Sequence, residues 1–573
     1  MMQSTPRSKV NELLSSANLV FLLVLLMSAN ITYSQDVENS IRTLRERLKN
    51  DPITFHGNLS AQFEWNSISG HALRRRDPFN MGIFGHASVD ILGVHAPFSL
   101  AISDGNSTYN LPSYTFVGLS PSYRWAKLHL FRRNMNFSKY TLANHGFNGV
   151  GIELRPGKWR VAAMHGTLRR AQIEDYGFRQ ELDAHHHRTG QGIKIGYESG
   201  KDQVHFIAFR ARDREDVTSA TDTSLPQAVD NLLISTIIKK RISPVLDIQG
   251  EIAHSVYTPD KNFLSRKNNG IDEFFQSFIK INGSTSRSSA YNFDINFYPG
   301  TIGDFSIGYE RINPDFNSLG TLYFQNDFEH FTARYRGKIA DKIGITSRIG
   351  LERNNLDELE IESRNRFIGA FQINLPAGTK WNNSLGYSNF RQTIRLLDNT
   401  DPLQLVDSIF LGSTNHQLNM QSSYQFDDKN IISGFFSHQR ANVIQQEHIT
   451  TNATSITNAG VSYAQTGQKN TTWTAALFYN SLSQDIIKSS ALSTTLGVRQ
   501  ELNKDWHASL RLMSQSTFLN SAANGHILRV LLQSNFSLST QQKLQLRLQW
   551  ISRNRSRNDL TELMGHLGYQ FQF

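Results

Sequence analysis

The chain has no cysteine among its 573 residues. That excludes disulfides, iron–sulfur clusters, cysteine-held zinc, thiol catalysis and lipidation through an N-terminal cysteine. Proline is scarce, at 14. Charged residues make up 19%, against about 25% in an ordinary soluble protein. No apolar run reaches the roughly 18 residues that a membrane helix needs, and the mean hydropathy is −0.40. A bundle of membrane helices is therefore excluded. Phosphate-cradling glycine loops, dinucleotide fingerprints, the H-E-x-x-H zinc pattern and the nucleophile elbow are also missing. What the chain does have is aromatic residues at 11%, with 36 phenylalanines, and a formal charge of +10. Length alone predicts three or four soluble domains.

The N-terminus carries Arg7 and Lys9, then the apolar run 19–27, then Thr32-Tyr33-Ser34. This order is that of a secretory signal peptide, residues 1–34, with cleavage between Ser34 and Gln35. Val37, Ile41, Leu44 and Leu48 recur at helical spacing before Pro52, which predicts a short periplasmic amphipathic helix over 35–52. From residue 53 the period changes to two. Phe55, Gly57, Leu59, Ala61, Phe63 and Trp65 share one face, and His56, Asn58, Ser60, Gln62 and Glu64 the other. Near the end Leu544, Leu546, Leu548 and Trp550 alternate with Lys543, Gln545, Arg547 and Gln549. Such strands have one wet face and one apolar face.

Two kinds of connection alternate between these strands. Short turns occur at 155–158, 198–202, 299–303, 376–378, 427–430, 502–505 and 540–542; longer polar connections span 67–79, 171–189, 214–229, 258–285 and 392–411. Short turns on one side and long loops on the other is the layout of an outer-membrane barrel. The expectation is an all-β fold: one large antiparallel transmembrane β-barrel over 53–573, with about 26 strands (range about 22–26) of roughly 10–14 residues each. An even count places both termini on the short-turn, periplasmic side. A propeller would pack both sheet faces, so its strands would not keep one face polar. A string of β-sandwiches would break the alternation of turns at its linkers.

The last strand ends Tyr569, Phe571, Phe573. With the signal peptide and the alternating strands, this C-terminal signal resembles that of outer-membrane β-barrel proteins of Gram-negative bacteria. The Ser-Gln cleavage context and the Asn/Ser/Phe-rich strands resemble Bacteroidota members. The resemblance covers nearly the whole chain and assigns no subfamily. It implies an outer-membrane location, contact with lipid and lipopolysaccharide, and insertion by the barrel assembly machinery. It departs from TonB-dependent receptors, because no plug domain precedes the barrel, and no peptidoglycan-binding domain follows it.

With the apolar face assigned to lipid, Arg334, Arg336, Lys338 and Arg348 face the lumen, joined by Arg499, Arg511, Arg529 and Arg547 from four successive strands. A lumen rich in such cations attracts anions. Alternatively these arginines pair with Glu64, Glu153, Asp294, Glu352 and Glu501 and brace the wall. A barrel of about 26 strands is on the order of 50 Å across at the backbone, from strand spacing and tilt. Left empty, it would defeat the membrane as a barrier. Inward-folded loops, a partner protein or a partner's segment is therefore expected to occupy it.

Other candidate groups point to less. His86 and Ser88 resemble the H-x-S pair of outer-membrane phospholipases but lie on the lumenal face, away from lipid. His185, His186 and His187 are weak metal candidates in a predicted extracellular loop. Arg74, Arg75 and Arg76 could face lipopolysaccharide phosphates. The alternation explains the basic and aromatic content better than nucleic-acid binding does. No enzymatic role and no cofactor are expected. Three functions fit: a wide conduit whose lumen is occupied or gated by its own loops or a partner, serving transport, export or surface assembly; a passive anion-preferring porin; and a structural scaffold for surface proteins.

Overall fold

In a computed structural model the described residues are 53–573, except 71–77, 92, 104–113, 172–174, 178–179, 183–184, 216–226, 267–269, 301–302, 323, 341, 397–408, 446–447, 450–452 and 556–558. The signal peptide, the 35–52 helix and Arg74–Arg76 lie outside them. By its internal packing the chain divides into two units, Met1–Phe55 with Val89–His95 and His56–Ser88 with Ala96–Phe573. Within the first, the described part carries a His95–Asp90 hydrogen bond of 2.6 Å.

The second unit holds the wall. One sheet contains 28 segments. Two of them, Ser122–Tyr123 and His448–Ile449, are two-residue extensions of neighbouring strands. The remaining 26 run antiparallel in chain order, and the first, Thr54–Gly70, pairs with the last, Leu560–Gln572, over Asn58↔Gln572 to Gly70↔Leu560. The sheet is thus a closed 26-strand barrel, and closure leaves no edge with unpaired backbone groups. The expectation of three or four domains from length fails because half of every strand faces water, which keeps the mean hydropathy low without separate cores.

The outer face is apolar and open. Phe206 is 60% exposed and Ile252 67% exposed, while their neighbours along each strand turn to the other face. On the side of the two termini this face ends in aromatic pairs, mostly edge to face. Trp159–Tyr197 are 5.4 Å apart, Phe305–Tyr335 4.8 Å, Trp381–Tyr424 6.2 Å and Trp506–Phe536 6.2 Å between ring centroids. Such a girdle is the mark of a lipid–water boundary.

Turns on the terminus side are short throughout, for example Gly200-Lys201 and Lys504-Asp505. Connections on the far side are longest over the first half of the barrel and shortest near its end. Asp485-Ile486 and Asn520-Ser521 are two-residue far-side turns, so the strict alternation read from the sequence stops there. Strands are also longer than expected in that half, reaching 17 residues in Ile409–Gln425 and Ile487–Asn503.

Candidate lumenal site

Two far-side connections turn inward. Residues 135–145 join Ala126–Asn134 to Gly146–Leu154, and residues 313–327 join Asp304–Ile312 to Phe328–Ile339. Their apolar side chains Phe137, Tyr140, Leu142 and Phe316 are all nearly fully buried. They pack on Ile207, Phe209, Ala211, Leu233, Ala253 and Ala290 of the wall. Those wall residues alternate with the exposed Phe206, Ile234 and Ile252, so both connections sit on the lumenal face.

The two connections also hold each other. Ala143 N–H donates to the Gly320 carbonyl at 3.1 Å, and Ser318 Oγ donates to the Thr141 carbonyl at 3.1 Å. The Tyr140 and Phe316 rings meet edge to face at 6.1 Å. Gly320 permits this approach: a Cβ there would stand 2.1 Å from the Thr141 oxygen and 2.6 Å from the Phe209 ring. On the wall, Gly192 does the same for the Phe137 ring, 2.8 Å from where its Cβ would lie.

Polar anchors satisfy the backbone groups these segments bring inside, as burial requires. Lys194 Nζ donates to the Phe137 carbonyl at 2.7 Å. Leu319 N–H donates to Asn231 Oδ1 at 3.1 Å, and Ser255 Oγ donates to the Asn317 carbonyl at 2.7 Å. Tyr140 Oη donates to Glu310 at 2.9 Å, and Lys139 pairs with the same carboxylate. Glu251, buried, accepts from Ser235 Oγ at 2.6 Å. Higher on the same wall Arg188 makes a two-pronged pair with Asp213 at 2.6 and 3.0 Å.

The connections 135–145 and 313–327 are not among the long loops the sequence analysis identified. The long connection 258–285, which was among them, does not enter. A signal was present in the sequence: the polar face becomes largely apolar over His205–Ala211, with Ile207, Phe209 and Ala211, and over Leu232–Ile238, with Leu233 and Ile237. Strands apolar on both faces need a cover on each.

The eight basic residues expected on the lumen share its strand face. Arg334, Arg336, Lys338, Arg348, Arg499, Arg511 and Arg547 are exposed there, and Arg529 is half-buried. The five carboxylates that could neutralise them are engaged elsewhere. Glu64 meets His566 at 3.4 Å; Glu153 meets His129 at 3.0 Å and Arg155 at 3.1 Å. Asp294 accepts from Gln249 at 3.3 Å, Glu352 pairs with Arg366 at 2.9 Å, and Glu501 lies 3.8 Å from His507. Arg547 donates only to Gln549, at 3.4 Å, among the described residues. The inner surface therefore has two sectors. One is covered by the docked segments; the other holds the basic residues in two groups, on Phe328–Ile339 and Ile343–Asn354 and on the four strands from Ile487 to Arg555.

Ser88 Oγ points at the His56 carbonyl, 3.5 Å away. His186 is buried and His187 Nε2 lies 3.0 Å from Thr167 Oγ1. No group of three or more metal-binding side chains occurs among the described residues. The Phe571 and Phe573 rings lie 5.6 Å apart, tilted to each other, and Tyr569 opposes Ala61 at the closing seam.

No protein-family model matches the chain, and no curated protein matches it. Solved structures that resemble it are membrane barrels. The translocation pore of the P pilus usher PapC shares 12% identity, with a TM-score of 0.38, over 90% of this chain and 99% of that one. The Escherichia coli P pilus tip assembly intermediate PapC-PapD-PapK-PapG shares 10%, with a TM-score of 0.46, over 85% of this chain and 61% of that one. The siderophore receptor PirA of Pseudomonas aeruginosa shares 8%, with a TM-score of 0.39, over 91% and 80%.

Proposed function

We propose that this chain is an integral outer-membrane barrel serving as a wide conduit, narrowed from within by its own segments 135–145 and 313–327. The observation that carries this reading is the docking of both segments on the lumenal face, with the wall residues beneath them apolar or small. A wall that met only water would keep polar residues there. The short turns on the side of the termini favour a periplasmic location for both ends, with the long connections at the cell surface. The open remainder of the lumen leaves room for a cargo or for a segment of a partner protein. Lipid and lipopolysaccharide surround the wall, and the barrel assembly machinery inserts it.

Within this reading the open sector favours anions, because its eight basic side chains make no ion pair with a carboxylate among the described residues and stand beside a low-dielectric wall. The test is solute uptake into vesicles holding the purified barrel. A chain with residues 136–144 and 314–326 each replaced by a short glycine-serine linker should admit larger solutes than the natural chain. Equal size limits for the two would overturn the reading.

A further inference from the structure

The described parts of the connection 259–285, residues 259–266 and 270–285, lie on the opposite face of the wall from the two docked segments. Its short helix, Gly270–Gln276, and the residues after it bury Phe275 (9% exposed) and Ile279 (2%) against Leu232 and Val256. Val256 is 1% exposed, although it shares a strand face with Ile252, which faces lipid. Leu232 likewise shares its face with Ile234 and Ile238, both exposed. The connection is therefore folded down over the outside of the barrel. It is held there by several bonds. Arg287 of the wall and Arg266 both reach the buried Asp272, at 3.3 and 3.2 Å. Thr258 Oγ1 donates to the Lys280 carbonyl at 2.9 Å, and the His254 and Phe275 rings lie 6.0 Å apart.

Adjacent residues of the helix and of the turn after it face opposite ways. Phe275 and Ile279 turn inward, whereas Phe274 and Phe278 turn away from the wall, 61% and 51% exposed, with rings 5.7 Å apart. Phe263 and Leu264, on the strap leading to the helix, are also exposed. The height of this surface is fixed by the strand beneath it. Leu246 stands beside Phe297 of the aromatic girdle. Val256 is ten residues further along, about 26 Å up a strand tilted by about 40°. An outer-membrane barrel's apolar band is about 25 Å tall. The flap thus lies where the band ends, continuous with the lipid-facing surface below it.

We propose that residues 270–285 form a membrane-interface flap whose Phe274 and Phe278 insert among the acyl chains of the leaflet at the far end of the barrel. Continuity with the lipid-facing band selects acyl chains as the occupant. The inference rests on the membrane-spanning wall and not on the occupancy of the lumen. With no native cysteine in the chain, single-cysteine labelling is clean. Nitroxides at Phe274→Cys and Phe278→Cys, in full-length barrel in phosphatidylcholine vesicles, report collision with oxygen, which concentrates in lipid, and with a water-soluble nickel chelate. Ile307→Cys serves as the lipid reference and Arg511→Cys as the lumenal one.

The expected result is oxygen accessibility several-fold above nickel accessibility at 274 and 278, matching position 307. Nickel-dominated collision, as at 511, would overturn the proposal; so would low accessibility to both, which would mean that protein covers the flap. A barrel that runs at its unheated position on a denaturing gel shows that each variant is folded. If position 307 itself behaves as aqueous, the membrane-spanning reading fails rather than the flap.

Discussion

Replacing Phe316 by alanine should release the docked segments without opening the barrel. Phe316 is fully buried, edge-on to Tyr140 and 5.4 Å from the Phe324 ring. It belongs to a connection and carries none of the wall's backbone pairing. Truncating a buried phenylalanine costs about 3–5 kcal/mol. Charged to docking alone, the lower figure is about a hundredfold shift toward the undocked state, at about 1.4 kcal/mol per tenfold. Cleavage of an opened segment follows its equilibrium population when closing is fast. Chymotrypsin should therefore cut within 313–327 on the order of a hundred times faster in Phe316→Ala than in the natural chain. Leu322→Ala, on a side chain 57% exposed in the same connection, should change the rate by less than about threefold. Mass spectrometry of the fragments locates the cut, and the unheated gel position reports the barrel. An unchanged rate in Phe316→Ala would refute the docking energetics, as would general proteolysis of the wall.

Changing Arg499, Arg511, Arg529 and Arg547 together to glutamine should move the zero-current potential in a salt gradient toward the nonselective value; no movement would remove the open sector from ion selection. Gly565→Val should weaken the closing seam, because a Cβ there would stand 1.9 Å from the Trp65 ring; the midpoint temperature of the gel shift should fall, whereas Gly270→Val, an exposed position with nothing within 4 Å of its Cβ, should leave it unchanged. In the terminus-side turn, the Asn430 side chain and the Lys429 and Asn430 amides hold the Asp427 carboxyl below its ordinary range. Its folded value is depressed, so its contribution to stability is present above the unfolded value and lost as pH falls through the folded one. Asn430→Ala should raise the Asp427 value, read by carboxyl NMR of aspartate-labelled protein.

The wall was legible because its rule is local. A residue's face follows from parity alone, which is why the alternation at Phe55–Trp65 and at Leu544–Trp550 located the lipid side, and why about 26 strands were countable from turns such as 155–158 and 427–430. Length and side of the later connections were less legible. Asp485-Ile486 and Asn520-Ser521 carry the φ-positive residues of tight turns and close hairpins on the far side without a loop. The docked segments were hidden for a different reason. Phe137, Tyr140 and Phe316 lie in connections with no period, and their partners Phe209 and Leu233 are separated from them by scores of residues. Only the largely apolar lumenal face of 205–211 and 232–238 signalled that something covers the lumen there.

Single-channel conductance of the purified barrel in a planar bilayer tests the central claim most directly. A lumen narrowed by 135–145 and 313–327 predicts a conductance well below that of a water-filled cylinder about 50 Å across at the backbone, rising in discrete steps in Phe316→Ala. A stable conductance at the full-cylinder value in the natural chain would contradict the account.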